Sequence, residues 1–160
     1  MKHFKVLSMA LLCVLLQVPV FTQSNEQKIR AAYDALNRKD WNAFAALCDE
    51  KNYRDVGVAP VPLVGVNEAL AAYKQFFDAF PDLRIAVNEI APLGPTRYLL
   101  RVTLSGTNTG ALMGMPPTGK RMQYDDCDLV EFDAAGKIVH HQPTKGGPEV
   151  FRQLGIDPQT

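Results

Sequence analysis

Residues 106–122 read GTNTGALMGMPPTGKRM and lie between two segments that alternate like β-strands. A plain hairpin needs only about two to five linking residues, so this connection is unusually long. Gly106 and Gly110 allow backbone angles and close approaches that a Cβ would forbid. Pro116 and Pro117 stiffen the return of the chain into the next strand. The stretch therefore predicts a long, ordered loop between two neighbouring strands.

The segments on both sides of this loop separate the chain into a helical half and a strand half. From Asp82 onward, LRIAVNEIA, RYLLRVTLSG, KRMQYDDCDLVEF and KIVHHQ have the two-residue period of strands, with APLGPT and DAAG as turns. Before Asp82, apolar residues recur with the helical period, which predicts helices capped by Ser24, Asp40 and Asn67. This order predicts an α+β fold in which N-terminal helices pack on a curved antiparallel sheet. Such a cone can hold a small apolar ligand.

The N-terminus has the layout of a secretory signal peptide. MKHFK supplies two lysines, and the uncharged stretch VLSMALLCVLLQVPVF follows it. A membrane-spanning helix needs about 20 apolar residues, and Gln17 and Pro19 interrupt this one. We therefore predict a signal peptide at 1–23, a single domain at 24–160, and a secreted or periplasmic protein without stable membrane insertion after processing. An uncleaved N-terminal anchor is the alternative.

Composition narrows the possible partners. The formal net charge is zero and no basic cluster stands out, so nucleic acid is not an expected partner. Cys48 and Cys127 are the two cysteines after the predicted signal peptide. They are interpreted as buried free thiols, although an exported protein allows a disulfide between them.

Four short motifs carry a resemblance to a known family. They are AFPDL at 79–83, GTNTGALMGMPPTGK at 106–120, DAAGKIV at 133–139 and RQLGI at 152–156. In this order and spacing the chain resembles the SnoaL-like polyketide cyclases, or ester cyclases, of the NTF2-like superfamily. The resemblance implies an NTF2-like cone, chemistry without a metal or an organic cofactor, and a possible homodimer formed through the outer face of the sheet.

The resemblance also implies a role for three apolar side chains on the long loop. In the family this region rims the mouth of the pocket and takes part in subunit contacts. Leu112, Met113 and Met115 either serve that purpose here or plug the end of the domain's own core.

The chain departs from the family at the residues that carry its chemistry. In the family, the acid/base aspartate follows the last strand in a pattern like EHWxxxD, where this chain reads HHQPTKG. Gln142 then occupies the tryptophan position and Gly146 the aspartate position. Asn108 stands where histidine is common. The family's catalytic aspartate therefore has no counterpart at Gly146.

Other polar groups supply a candidate site. Strand alternation places Asp126 and Asp128 on the same face as the apolar Val130, so both should point into the cone. In the next strand, alternation groups His140 with Gln142 and puts His141 on the opposite face. An aspartate beside a histidine can move protons near neutral pH, so Asp128 and His140 are the predicted catalytic pair. The predicted substrate-binding residues are Asn108, Tyr124, Asp126, Gln142 and Met113.

A purely structural role for these residues is the alternative to the catalytic one. Adjacent histidines near a sheet edge are commonly solvated or structurally paired, and Asp126 suits an exposed strand end. Because alternation separates the two histidines, we expect no metal chelate between them and Asp128.

Two functions remain open at this point. One is an exported enzyme that acts by acid/base chemistry on a small hydrophobic carbonyl or ester compound. The other is a non-catalytic module that binds a small hydrophobic molecule or a partner in the same cone. The glycine at 146 favours the second function, whereas the inward Asp128 favours the first.

Overall fold

The computed structural model describes residues 23–156. The predicted signal peptide lies outside the described residues except for residue 23. In chain order the elements are α1 (Asn25–Asn37), α2 (Trp41–Leu47), β1 (Arg54–Asp55), β2 (Leu63–Val64), α3 (Val66–Ala79), β3 (Arg84–Pro92), β4 (Arg97–Thr107), β5 (Arg121–Phe132), β6 (Ile138–Pro143) and α4 (Gly146–Leu154).

The strands form one six-stranded sheet in the order β2-β1-β6-β5-β4-β3. Neighbouring strands are antiparallel except β1 and β6, which are parallel. The predicted α+β class with a curved sheet is confirmed. The sequence did not predict the parallel pair, which joins a two-residue strand from the helical half to the last strand.

The helices cover the sheet with apolar faces that follow the predicted period. Ser24 and Gln27 form the predicted capping box of α1, and Asp40 caps α2 by accepting from the Ala43 N–H. The third helix starts earlier than predicted, at Val66 after Gly65, so Asn67 is not its cap. Aromatic rings from α2 and α3 pack edge to face above the sheet, which forms much of the core.

The 106–122 stretch folds back onto the end of α3. The N–H groups of Thr109 and Gly110 both donate to the carbonyl oxygen of Ala79, at 3.1 Å each. A Cβ on Gly110 would overlap the carbonyl oxygen of Asp78, so only glycine permits this approach. Leu112 is buried, whereas Met113 is 57% exposed. Leu112 therefore packs into the domain's own core, while a role of Met113 in subunit contacts stays a prediction.

An irregularity in the last hairpin changes which residues of β6 face inward. Phe132 pairs with Ile138, but the preceding Glu131 pairs with His140. One extra residue on β6 is therefore accommodated as a β-bulge, which breaks strict alternation. As a result, Ile138 and His141 line the same interior space.

The two cysteines of the described region are not joined. Cys48 is buried and Cys127 is exposed, and both are free thiols. The free-thiol interpretation is confirmed, but burial holds only for Cys48. Among residues 23–156, no helix has the length and apolarity that a membrane span requires.

Candidate functional site

A cavity of about 120 Å³ lies between the helices and the sheet. Most of its wall is apolar and aromatic, including Phe44, Phe76, Phe77, Ile85 and Val130. A few polar side chains also line it: Tyr33, Tyr53, Tyr73, Tyr124, Asp126, Asp128 and His141. A mostly apolar pocket with a few converging polar groups is typical of a small-molecule site.

Asp128 of β5 is a carboxylate of the cavity wall with one oxygen that could accept a hydrogen bond or a proton from a ligand. It points inward, as strand alternation predicts, and is 4% exposed. Its Oδ2 accepts a 2.5 Å hydrogen bond from the Tyr33 hydroxyl and lies 3.4 Å from His141 Nε2. No residue within 23–156 donates to its Oδ1. One carboxylate oxygen is therefore fixed by the protein, while the other remains free for a ligand.

His141 connects Asp128 to a second buried carboxylate. Its Nδ1 lies 2.8 Å from Asp55 Oδ2, while its Nε2 faces Asp128. Burial alone would lower the pKa of His141. Attraction to Asp55 and hydrogen bonds to both carboxylates outweigh that effect and raise the pKa to about 10. The side chain is therefore an imidazolium at neutral pH, with both of its N–H groups directed at carboxylates.

Asp55 anchors this arrangement from behind. It is 1% exposed, and its Oδ2 accepts hydrogen bonds from the Tyr73 and Tyr53 hydroxyls, which also contact each other at 2.8 Å. Its Oδ1 is fully buried without a partner in the described part of the chain. Such an unpaired oxygen is unfavourable in a stable core, and this one lies next to the charged His141.

The surrounding tyrosines remain hydroxyl donors. Burial, followed by repulsion from Asp128, raises the pKa of Tyr33 well above its usual value. Burial also raises the pKa of Tyr73, together with effects of Tyr53 and Asp55. The pKa of Tyr124 rises through burial and the charge of Asp126. Each phenol thus keeps its proton at neutral pH.

His140 and Gln142 do not belong to the cavity. The β-bulge turns His140 away from Asp128, and its Nε2 instead lies 3.4 Å from Gln142 Oε1 on an exposed face. The predicted pairing of Asp128 with His140 is therefore wrong in geometry. His141, which alternation assigned to the opposite face, is the histidine beside Asp128.

Asn108 is buried, but it holds the long loop rather than facing the cavity. Its side chain donates to the carbonyl oxygens of Gly110 and Ala79, at 2.9 and 3.3 Å. It accepts from the backbone N–H and the hydroxyl of Thr118, at 2.8 and 3.0 Å. All of its hydrogen-bonding capacity is used inside the protein.

Asp126 lines the cavity, yet both of its oxygens are occupied. They accept backbone N–H groups of Thr144, Lys145 and Gly146 at the start of α4, and that of Cys127, at 2.8–3.2 Å. Negative charge at a helix N-terminus is favourable. Asp126 is therefore a helix anchor, and the expectation of an exposed strand end is wrong.

Tyr124 and Met113 occupy different places. Tyr124 lines the cavity, and its hydroxyl has no hydrogen-bond partner among residues 23–156. Met113 lies outside the cavity on a separate groove. Of the predicted site residues, the structure brings only Tyr124, Asp126 and Asp128 to the cavity wall.

The glycine at position 146 has a structural explanation. Its φ is +49°, and a Cβ there would overlap the carbonyl oxygen of Gly57. Close contact between the β6–α4 connection and the segment after β1 therefore requires glycine. An aspartate cannot occupy this position without moving the backbone.

Sequence reasoning missed Asp55, His141 and Tyr33 as site residues. Tyr33 lies on the apolar face of α1, where its period indicates a core residue. A buried Asp on a two-residue strand gives no periodic signal, and its partner His141 is 86 positions away.

The family profile of the SnoaL-like polyketide cyclases matches residues 27–154. The chain belongs to this family. No curated protein matches it in sequence. The fold is similar to AclR from Streptomyces galilaeus (24% identity, TM-score 0.68, covering 84% of this chain and 86% of AclR).

Two further solved structures have the same fold. A SnoaL-like polyketide cyclase from Agrobacterium tumefaciens is 23% identical, with a TM-score of 0.67 over 84% of this chain and 100% of that one. Rv0760c from Mycobacterium tuberculosis, in complex with estradiol-17β-hemisuccinate, is 13% identical, with a TM-score of 0.64 over 79% and 98% of the two chains. At these identities the likenesses show a shared fold.

Proposed function

We propose that this SnoaL-like protein is an acid/base enzyme, without a cofactor, for a small, neutral, hydrophobic carbonyl or ester compound. The observation that carries this proposal is the free Oδ1 of Asp128, which belongs to a carboxylate fixed by Tyr33 and His141 in an apolar cavity. A carboxylate held in this way can take a proton from a carbon beside a carbonyl group.

The other polar groups have complementary roles in this reaction. When Asp128 Oδ1 accepts the proton, the electron pair of the C–H bond moves towards the carbonyl oxygen. The unpaired hydroxyl of Tyr124 is the available donor to the resulting enolate oxygen. The proton on Asp128 then returns to carbon, or to the leaving or cyclising group.

His141 does not act as the base at neutral pH. A pKa of about 10 means that the imidazole already carries its proton. It orients Asp128 and supplies positive charge beside it, as a positioning residue. Asp55 in turn keeps His141 protonated and in place.

Hydrogen exchange at carbon tests this proposal without knowledge of the natural substrate. Phenylacetone is a neutral ketone with acidic α-hydrogens and ten non-hydrogen atoms, which suits the size of the cavity. We expect the wild-type protein to accelerate deuterium incorporation from D₂O, followed by proton NMR, and Asp128→Asn to abolish the acceleration. Equal exchange by both proteins, or none above buffer, would refute the proposal.

A second candidate is a non-catalytic binding module, which the glycine at 146 favours because it removes the family's aspartate position. In that case the protein would bind phenylacetone without exchanging its hydrogens. Native mass spectrometry of protein purified from its source organism would then show a retained apolar small molecule.

Export and dimer formation are further parts of the proposal. N-terminal sequencing of the protein from its source should begin near residue 24 in an extracytoplasmic fraction. A start at residue 1 in a membrane fraction would support the anchor instead.

The outer face of β4 carries Arg97 and Arg101, both in exposed ion pairs. Light scattering after size exclusion measures whether the protein forms a homodimer.

A further inference from the structure

A second hollow lies beside the cavity, on the surface formed by α3, α4 and the long loop. Its volume is about 800 Å³. We call it the outer groove and define it by residues specific to it: Ala59, Ala72, Leu112, Met113, Phe151 and Ile156. These side chains are apolar, and Met113 is among the most exposed large apolar residues of the described chain.

The outer groove and the cavity share part of their walls. Val58, Phe76, Gly147 and Val150 line both spaces. Of these four residues, Gly147 is the one without a side chain. A Cβ at this position would make only ordinary contacts, the nearest being the carbonyl oxygen of Val58 at 3.7 Å. Unlike Gly146, Gly147 is therefore not required by backbone packing.

The two spaces differ in size and in the ligand portion that they suit. A cavity of about 120 Å³ holds on the order of ten non-hydrogen atoms, if each takes the ~10–15 Å³ that a water needs. The buried polar groups that suit a carbonyl lie in the cavity. The wall of the larger outer groove is mostly apolar, with Gln75 and Arg152 as its polar lining side chains, so it suits a hydrocarbon portion.

The charges that line the cavity and the outer groove do not suit an anionic ligand. Asp126 and Asp128 are the carboxylates of the cavity wall, and the one imidazolium there, His141, is paired with Asp128 and with Asp55 behind it. In the outer groove the charged lining residue is Arg152, whose guanidinium is paired with Glu149 at 2.5 Å. Among the described lining residues, no unpaired cation is available for a carboxylate or phosphate.

We infer that the substrate is a neutral carbonyl or ester compound with a compact head and one apolar chain. The head lies in the cavity against Asp128, and the chain passes beside Gly147 into the outer groove. This inference deepens the proposed function and rests on it for the position of the head. Met113, predicted from the sequence to bind substrate, would contact the chain rather than the reacting carbonyl.

A homologous ligand series tests the position of the chain. Phenylacetone and its 4-n-alkyl derivatives, from methyl to hexyl, carry the same head with increasing chain length. Full burial of a methylene raises affinity roughly fourfold, so we expect a rise of about two- to fourfold per methylene by isothermal titration calorimetry. No rise with chain length would overturn the inference.

Two variants locate the effect in the outer groove. Gly147→Leu should close the passage between the two spaces, so that affinity no longer increases with chain length. The matched Gly147→Ala should preserve the increase. Met113→Asn is a second variant on an exposed residue at φ +51°, a conformation that asparagine tolerates well. This variant should reduce the total gain in affinity from the methyl to the hexyl derivative by about twofold or more. A rise that persists in both Gly147→Leu and Met113→Asn would place the chain elsewhere and overturn the inference.

The same ligands separate this inference from the proposed function. If exchange occurs but affinity does not depend on chain length, only the chain assignment fails. If affinity rises with chain length but no exchange occurs, the proton-transfer proposal fails and the binding geometry stands. If none of the ligands binds, both fail. A groove that binds a protein or a second copy instead would appear as a flat series together with a concentration-dependent mass in light scattering.

Discussion

Two sets of buried polar side chains in this protein differ in whether their hydrogen-bonding capacity is used up. Asn108 and Asp126 have protein partners on every side-chain group: one holds the long loop and the other holds the start of α4. Asp55 and Asp128, connected by His141, each retain one oxygen without a partner in the described residues. Both sets are almost completely buried, so burial alone does not distinguish a functional residue from a structural one. The free oxygen does.

The largest expected effect concerns the open carboxylate. Asp128→Asn keeps the shape of the side chain but removes its basicity. We expect the rate of α-hydrogen exchange to fall by roughly 10²–10⁴-fold, the usual contribution of a general base. Circular dichroism and thermal melting should show a folded protein. A folded Asp128→Asn variant with the wild-type exchange rate would contradict the inference that the free oxygen marks a functional residue.

The matched change, at a residue whose hydrogen-bonding capacity is fully used by the protein, should lower the stability of the fold. Asp126→Ala leaves several N–H groups at the start of α4 without their acceptor, and hydrogen bonds to a charged group contribute about 1.5–3 kcal/mol. We expect the free energy of unfolding, from urea denaturation, to fall by about 3 kcal/mol. The neighbouring, exposed Asp125 is the control, since Asp125→Ala loses a single surface hydrogen bond from Thr103. Similar losses in both variants would contradict the anchoring role.

The pH dependence of stability should reveal the charged histidine. The pKa of His141 is raised from 6.5 to about 10, so its stabilisation is complete below about pH 6.5 and is lost as the pH rises through 10. The free energy of unfolding should therefore decrease by about 2 kcal/mol between pH 7 and pH 9. His141→Gln should remove this decrease, while His140→Gln, on the exposed face, should retain it. The same pH slope in wild type and His141→Gln would mean that another group is responsible.

The smallest effect separates two adjacent glycines. Gly146→Ala forces a Cβ against the Gly57 carbonyl at a positive φ, and we expect it to destabilise the fold by about 1–3 kcal/mol. Gly147→Ala has room for its Cβ and should change stability by less than about 1 kcal/mol. Thermal denaturation of the pair measures the difference. Equal stability would mean that position 146 is open, and that its lost aspartate needs another explanation.

Periodicity predicted the parts of the fold that depend on local pattern. The change from a helical to a two-residue period at Asp82 located the boundary between helices and strands. Alternation along β5 correctly placed Asp126 and Asp128 inward, because that strand is regular over its whole length. The glycines of the 106–122 loop were correctly interpreted as sites of close backbone approach, as Gly110 demonstrates.

The errors arose where a distant partner decides the local geometry. Alternation assigned His140 to the interior because it cannot detect a β-bulge, which depends on pairing with β5. The saturation of Asp126 depends on N–H groups about 20 residues away in α4. Asp55 joins the site through the parallel pairing of β1 with β6, for which its short strand carries no sequence signal.

A crystal structure of the wild-type protein with bound phenylacetone tests the central claim most directly. We predict that the ketone lies in the cavity with its α-carbon within about 3.5 Å of Asp128 Oδ1, the separation expected for reacting atoms, and its oxygen near the Tyr124 hydroxyl. A ketone bound only in the outer groove, or an Asp128 Oδ1 that accepts a hydrogen bond from the protein itself, would contradict the claim.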